Sequence, residues 1–434
     1  MTGLAISLGS TIWLGFYGGP SQIFGGFQID LFTYFFTGVL LLVSLFVAIS
    51  SLDFMKGDTN TAPYFGLLLL STLGMIVLAA SMDLILLYVG WELMSLPTYA
   101  LTAIKKKDPN SNEAAVKFFV LSALSSALLV YAISLTFGIT GSTSLPAIAS
   151  SLGTLTGDTR SFALIAIVMF VAGFGVKMAV VPFHMWIPDV YQGSPTTVSG
   201  FMSTGAKAAA FSAFIIVFAH PQLQQHEQLR TVLAVISAAS MILGNIVAIT
   251  QSNIKRMLAY SSIAHAGYML TGLAAANQIG RDGIVFYLIA YTFMNLGAFG
   301  VLSILEQEGE RNLTFDDYAG LGTRRPFLAA LMSVYMLSLA GIPPFAGFFG
   351  KYYVFAAALQ SHLAWLAIVG VLTSVVSVYY YLRLVMVMYF QEGVMTDANA
   401  PSRISLATLA ASAVMVTALG IYPSGILTII NNLP

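Results

Sequence analysis

Residues 84–104 read LILLYVGWELMSLPTYALTAI. A helix of about 20 residues crosses the roughly 30 Å hydrocarbon layer of a bilayer. This stretch has that length, with a single charge, Glu92, inside it. Comparable apolar runs fill 2–18, 31–52, 63–82, 114–138, 162–181, 195–219, 230–250, 257–276, 283–305, 362–390 and 404–430. Strands of a membrane barrel would be about 10 residues long and alternate apolar with polar; these runs are longer and uniformly apolar. Two further runs, 327–342 and 344–360, are short and meet at Gly341-Ile342-Pro343-Pro344. We read them as halves of one broken helix. The predicted fold is an all-α polytopic membrane protein of about thirteen transmembrane helices in a single membrane domain, 1–434.

Composition agrees. Of 434 residues, 58% are apolar and only 8% charged, where a soluble domain carries roughly 25% charge. Eighteen basic and eighteen acidic residues balance. So few charges exclude a cytosolic enzyme and a disordered chain, and the absence of a basic face excludes a nucleic-acid binder. Cysteine is absent, which excludes disulfides and Cys-ligated iron–sulfur or zinc sites in this chain. The first basic residue is Lys56, so the first run reads as a retained span rather than a cleavable signal.

Lys and Arg in the loops set the expected orientation. Loops after even-numbered spans hold Lys56, Lys105, Lys106, Lys107, Lys255, Arg256, Arg311, Arg324, Arg325 and Arg403; those after odd-numbered spans hold Arg160, Arg230 and Arg281. The bias puts the N-terminus inside and the C-terminus outside. The polar stretches 139–161 and 306–326 are too short for an extramembrane domain, and the second reads as a solvated loop.

A charge at the bilayer centre costs about 2.5–3.5 kcal/mol on insertion scales and usually marks function. Glu92, Lys177, Lys207 and Lys351 lie inside apolar runs, and His265 lies inside 257–276. Lys117 and Arg383 sit nearer span ends, where a long side chain reaches the interface by snorkelling. Lys255 and Arg256 fit an inner-edge anchor equally well. His265 alone fits a hydrogen-bonded core histidine as readily as a functional one. One carboxylate and several amines on separate helices suit a proton relay. Desolvation favours the neutral form of a buried amine and a nearby carboxylate favours the charged form. A change of about three pH units in an amine's proton affinity is worth about 4 kcal/mol, close to moving one charge through about 180 mV. A moving ion pair can therefore gate protons against a membrane potential.

Gly173-Phe174-Gly175-Val176-Lys177 and Gly347-Phe348-Phe349-Gly350-Lys351 both read G-F-x-x-K, 174 residues and five spans apart. Five spans reverse direction, so the echo predicts an inverted repeat. The same spacing sets Glu92 opposite Ala266, beside His265. Prolines 182 and 188 follow Lys177, and prolines 343 and 344 precede Lys351; broken helices are a recurring way to build ion sites in membranes. The glycines before Lys177 follow no strand and form no dinucleotide site. Pro182-Phe183-His184-Met185-Trp186-Ile187-Pro188-Asp189 has too few ligands for a metal and reads as an elbow near the inner face.

Four motifs together resemble a known family. They are Trp91-Glu92-Leu93-Met94-Ser95-Leu96-Pro97, then Gly175-Val176-Lys177 through Pro182-Phe183-His184-Met185-Trp186-Ile187-Pro188-Asp189-Val190-Tyr191, then Asn253 through His265 (NIKRMLAYSSIAH), and Ser338-Leu339-Ala340-Gly341-Ile342-Pro343-Pro344. The chain resembles the antiporter-like subunits of respiratory complex I, most closely the N-type (subunit 2), from about residue 25 onward. The resemblance implies two inverted five-helix repeats, 63–219 and 230–390, each with a broken helix, between N-terminal helices (1–62) and a C-terminal helix (404–434). It implies a proton relay of Glu92, Lys177, Lys207, Lys255, His265 and Lys351.

The resemblance also implies that no cofactor or metal is held by this chain. Flavin, iron–sulfur clusters and quinone or methanophenazine are expected in partner subunits. Partners would be sister antiporter-like and small membrane subunits, a peripheral redox arm and lipid, in a prokaryotic cytoplasmic membrane. NADH, ferredoxin and F420H2 all remain open as donors, F420H2 a serious one. The family's usual first span looks absent, and the long lateral helix of the L-type subunit is absent. Rival functions are an Mrp-type cation/proton antiporter subunit and a non-pumping scaffold.

Overall fold

The structure, a computed structural model, describes residues 1–19, 22–152, 158–218, 227–306, 313–393 and 401–433. The N-terminal part runs α1 (Thr2–Tyr17), β1 (Gln22–Phe24), β2 (Phe27–Ile29) and α2 (Leu31–Phe54). Next come α3 (Thr61–Ala80), α4 (Leu84–Thr102), α5 (Pro109–Thr140), α6 (Leu145–Leu152), α7 (Asp158–Met178) and α8 (Ile187–Gly193). Then α9 (Thr196–Phe201) passes through a π-helical turn (Met202–Ala206) into α10 (Lys207–Phe218). The second part has α11 (Glu227–Ile249), α12 (Ile254–Ala275), α13 (Gln278–Leu305), α14 (Leu321–Arg324), α15 (Pro326–Ala340), α16 (Ala346–Gln360) and α17 (Ala364–Phe390), followed by α18 (Arg403–Ile421) and α19 (Ser424–Ile430).

Every apolar run read from the sequence contains helix. Among the described residues, ten helical stretches are long and apolar enough to cross a membrane. The other expected spans fall short of that measure. Helix α1 has 16 residues, α15 and α16 have 15 each, and α12 carries Lys255, Arg256 and His265. The sequence reading missed the β1–β2 hairpin. Its Gly25-Gly26 turn has φ 56 and 85, and Phe24 pairs with Phe27. Two positive-φ residues give the twist that a two-residue hairpin loop needs.

Both parts are built around one tightly packed helix pair, α3 on α4 and α11 on α12. Close approach needs small residues. A β-carbon on Gly74 would collide with the backbone of Leu93 and Met94, and one on Gly244 would lie 2.7 Å from the Ala264 nitrogen. Helix α4 starts at Asp83, which accepts from the Ile85 N–H at 2.8 Å; α12 starts at Asn253, which accepts from the Arg256 N–H at 3.1 Å. Each cap residue also bridges a distant strand-like residue, Asp83 with Ser144 and Asn253 with Thr314. Both members of the second bridge lie 170 residues beyond those of the first. The two parts meet where α8, α9 and the π turn lie against α12 and α13.

Arg311 lies outside the described residues. The loop at 306–326 is less solvated than the sequence suggested. Leu313, Phe315 and Tyr318 are buried, and the strap they form is held to α12 by Ile254 N–H to Leu313 O (2.8 Å) and Phe315 N–H to Ser252 O (3.1 Å). Mixed charges in that segment masked three core side chains.

Candidate functional site

Lys177, Lys207, Lys255, Lys351 and His265 are all buried, none more than 5% exposed. Glu92 is half-buried. Asp30 (4%) and Asp282 (9%) are more enclosed, so depth along an apolar run does not make Glu92 the most buried carboxylate.

Lys177 ends α7 against α4 and α5. Its ammonium donates to Ser122 Oγ at 3.3 Å and sits over the rings of Phe118 (4.7 Å), Tyr99 (5.2 Å) and Trp91 (5.9 Å). Such ring faces attract a cation, more strongly when desolvated. Glu92 accepts a hydrogen bond from Ser126 Oγ, one helical turn from Ser122. Serines 122 and 126 thus stand between acid and amine, and among the described residues no ion pair joins Glu92 to Lys177. The carbonyls freed where α7 stops are served by other groups, Trp186 Nε1 donating to Val176 O at 2.8 Å.

Lys207 follows the π turn; such interruptions often mark functional sites. It donates to Ser262 O (2.6 Å) and Ser262 Oγ (2.5 Å) and lies 5.4 Å from the centre of the Tyr291 ring. Phe174, three residues before Lys177, packs edge-on between Trp91 (5.2 Å) and Phe214 of α10 (5.4 Å).

Helix α12 carries the polar row onward. Ser261, His265 and Tyr268 recur at helical spacing and share a face. His265 Nδ1 is 2.8 Å from Tyr287 Oη, and Nε2 is 3.1 Å from Tyr381 Oη, which also hydrogen-bonds Ser261. Asn245 donates to Tyr268 Oη at 2.9 Å and accepts from Tyr380 Oη at 2.9 Å. Lys351 lies over the Tyr268 ring at 5.0 Å.

Lys351 stands beside the second helix break. It donates to Leu339 O (3.2 Å), Ala340 O (2.8 Å) and Ser374 Oγ (2.8 Å). Those carbonyls end α15 and have no partner within their own helix. Gly341 makes room. Its φ is +85, and a β-carbon there would lie 3.1 Å from Nζ. Helix α7 breaks at a left-handed residue too, Ala179 (φ 68). Counted from these two residues, Lys177 corresponds to Leu339. The G-F-x-x-K echo therefore falls on opposite sides of the breaks, Lys177 before and Lys351 after.

Three other basic residues have partners that the sequence did not reveal. Lys117 is paired with Glu113 (2.7 Å) and Asp189 (2.8 Å), and Arg256 with Asp189 (2.7 Å). Burial raises the Asp189 carboxyl, but the hydrogen bonds from Lys117 and Arg256 outweigh it and hold it below the usual carboxylate range. This cluster ties α5, α8 and α12 together. Arg383 stacks over Phe315 at 4.4 Å. Lys255 is no surface anchor; it donates to Ser194 O at 2.7 Å, with Glu306 at 3.6 Å. The residues missed from sequence are Ser122, Ser126, Ser262, Tyr268, Tyr287, Tyr381 and Glu306. For the α12 residues the signal was present, as polar side chains at i, i+4 and i+7 in an otherwise apolar helix. Among the described residues, no group of three His, Asp or Glu is placed to hold a metal.

Residues 81–377 match the family described as NADH:quinone oxidoreductase/Mrp antiporter, transmembrane. The chain belongs to this family. It is 44% identical to NADH-quinone oxidoreductase subunit N of Trichlorobacter lovleyi over 407 residues, covering 92% of this chain and 82% of that one. It is 41% identical to NADH-quinone oxidoreductase subunit N 1 of Solibacter usitatus over 428 residues, covering 98% and 87%. A chain of respiratory complex I from Thermus thermophilus matches with TM-score 0.85 and 36% identity, covering 98% and 92%. A chain of the Mrp complex from a Dietzia species matches with TM-score 0.88 at 21% identity, covering 99% and 90%. That likeness is one of fold.

Proposed function

We propose that this chain is a proton-translocating subunit of the membrane arm of a complex I-type NADH:quinone oxidoreductase. The observation that carries the reading is the row of buried protonatable groups, Glu92 and Lys177, then Lys207, His265 and Lys351, with Lys255 to one side. The subunit N relatives add to it. The Mrp reading has in its favour only a shared fold at low identity.

A proton relay needs groups that can both hold and release a proton, arranged so that neighbours feel each other's charge. Lys207 contacts Ser262, and His265 lies one turn along the same helix. Its two ring nitrogens face two tyrosine hydroxyls, so the imidazole can take a proton on one side and give it on the other. Tyr268, under the Lys351 ammonium, follows one turn later. Trp91 Nε1, Tyr291 Oη and Asn295 Oδ1 are buried without a protein hydrogen-bond partner and offer positions to bridging water. Glu92, reached from Lys177 through Ser126 and Ser122, is the charge whose approach or withdrawal sets whether Lys177 keeps its proton.

The finer architecture belongs to the same reading. Thirteen spans form two inverted five-helix repeats, 63–219 and 230–390, flanked by 1–62 and 404–434, with the N-terminus inside and the C-terminus outside a prokaryotic cytoplasmic membrane. The paired caps and bridges 170 residues apart support the repeat. Counted from those caps, Glu92 corresponds to Ser262, the partner of Lys207, rather than to Ala266. Sister antiporter-like chains, small membrane subunits and a peripheral arm with flavin and iron–sulfur clusters complete the complex. The relatives' names favour NADH over F420H2 or ferredoxin, and a quinone over methanophenazine.

Purification of the intact complex in mild detergent tests this. Expected are flavin and iron–sulfur absorbance together with sister antiporter-like chains and an NADH-binding subunit by mass. A colourless assembly of membrane subunits alone would replace the reading with cation/proton exchange.

A further inference from the structure

We infer that Glu306 is a functional proton-exchanging residue, the carboxylate through which Lys255 communicates with the aqueous edge of the second part. Lys255 is enclosed, its side chain 1% exposed, while the Glu306 side chain is 10% exposed. The pair is therefore graded, an inner amine and an outer acid that water still touches. Lys255 also donates to Ser194 O at 2.7 Å, the residue that ends α8. Its ammonium thus stands where the segment following the first helix break meets α12.

The strap at 313–318 covers this cluster. Tyr318 is fully buried and its hydroxyl has no protein hydrogen-bond partner. Burial, then the negative charges of Glu306 and Asp317, push that phenol well above its ordinary value, which puts it within electrostatic reach of the carboxylate. Among the described residues, the titratable groups around Glu306 are Lys255 on α12 and Asp317 and Tyr318 on the strap.

A buried ion pair is a poor stabiliser. Desolvation often cancels its attraction, and apolar replacements are often as stable. A chain with only 18 acidic residues in 434 places one here, beside an amine with no route to water of its own. The step is proton exchange. Glu306 takes a proton from water on its carboxylate oxygen and passes it to the neutral amine of Lys255, leaving carboxylate and ammonium; the reverse returns it. The inference rests on the proton-translocating reading above.

The test uses the intact complex in proteoliposomes, with NADH oxidation and proton uptake recorded together from pH 6 to 9. The variants are Glu306→Gln, Glu306→Asp and, as a control on the underlying reading, Lys177→Met. Glu306→Gln should lower coupled turnover about tenfold, with a deficit that widens as pH rises, because the carboxylate gathers protons when they are scarce. Glu306→Asp should recover most of it. A purely structural role predicts a pH-independent loss. If Lys177→Met abolishes coupling while Glu306→Gln keeps wild-type turnover and pH profile, the Glu306 inference fails alone. If Lys177→Met leaves coupling intact, the reading beneath it fails. Should Glu306→Gln not assemble, Tyr318→Phe takes its place and is expected to shift the pH profile without loss of assembly; an unmoved profile would overturn the inference.

Discussion

Lys177 and Lys351 carry the same five-residue signature and occupy different chemical settings. Lys177 ends a half-helix before its break, under three aromatic rings, with one long hydrogen bond and a carboxylate two serines away. Lys351 lies past its break and reaches back to cap the carbonyls that the break exposes. Both designs deliver an amine to a helix break. In one, a movable acid controls the amine. In the other, the amine is part of the scaffold, fixed by backbone acceptors. The first part therefore looks built to switch, and the second to hold and pass on.

The comparison can be broken or sharpened by substitution. The largest effect is expected from Lys177→Met. General acid–base groups contribute roughly 10²–10⁴-fold, so proton-coupled turnover should fall by at least about 10²-fold with the complex assembled. Thermal unfolding should then separate the two lysines. Lys351→Met leaves Leu339 O and Ala340 O without their donor, at about 1–3 kcal/mol for each buried unsatisfied group. It should lower stability well below that of Lys177→Met; equal stabilities would erase the distinction drawn here.

A matched pair of alanines tests what the two parts share. Gly74→Ala and Gly244→Ala each force a methyl into the backbone of the adjacent helix. Both should destabilise by about 1–3 kcal/mol, and a large effect at only one position would argue against a common helix-pair scaffold.

The smallest effect concerns the charge cluster joining the parts. Asp189 has its carboxyl below the usual range. A depressed folded value contributes stability above the unfolded value of about 3.9, and that stability is lost as pH falls through the folded one. Chemical denaturation should thus be insensitive to this group at neutral pH and above, with loss confined to strongly acid conditions. Because Asp189 (36%) and Lys117 (42%) are more than a third exposed, Asp189→Asn should cost only about 0–1 kcal/mol.

Much of this was legible in the sequence. Length and uniform apolarity gave the helices, because lipid leaves a span no other way to satisfy its backbone. A Lys amid Phe and Ala announced itself, so Lys177, Lys207 and Lys351 stood out. Their partners did not. Ser122 and Ser126 are ordinary residues in a membrane helix, and only three-dimensional packing shows that they lie between Glu92 and Lys177. Glu306 was hidden at the start of a charged loop whose polar composition suggested solvent. The echo of G-F-x-x-K misled in detail, because matching side chains says nothing about where the backbone turns left-handed. The true registration came from caps at Asp83 and Asn253, a feature of local geometry that two different residue types supply equally well.

The central claim is that the buried row moves protons. Its most direct test is the number of protons translocated per NADH oxidised, measured in proteoliposomes containing the fully assembled Lys177→Met complex. The account predicts a ratio below that of the wild-type complex, or turnover collapsed with it, while subunit composition stays intact. An unchanged ratio at unchanged turnover would contradict it and leave this chain a scaffold.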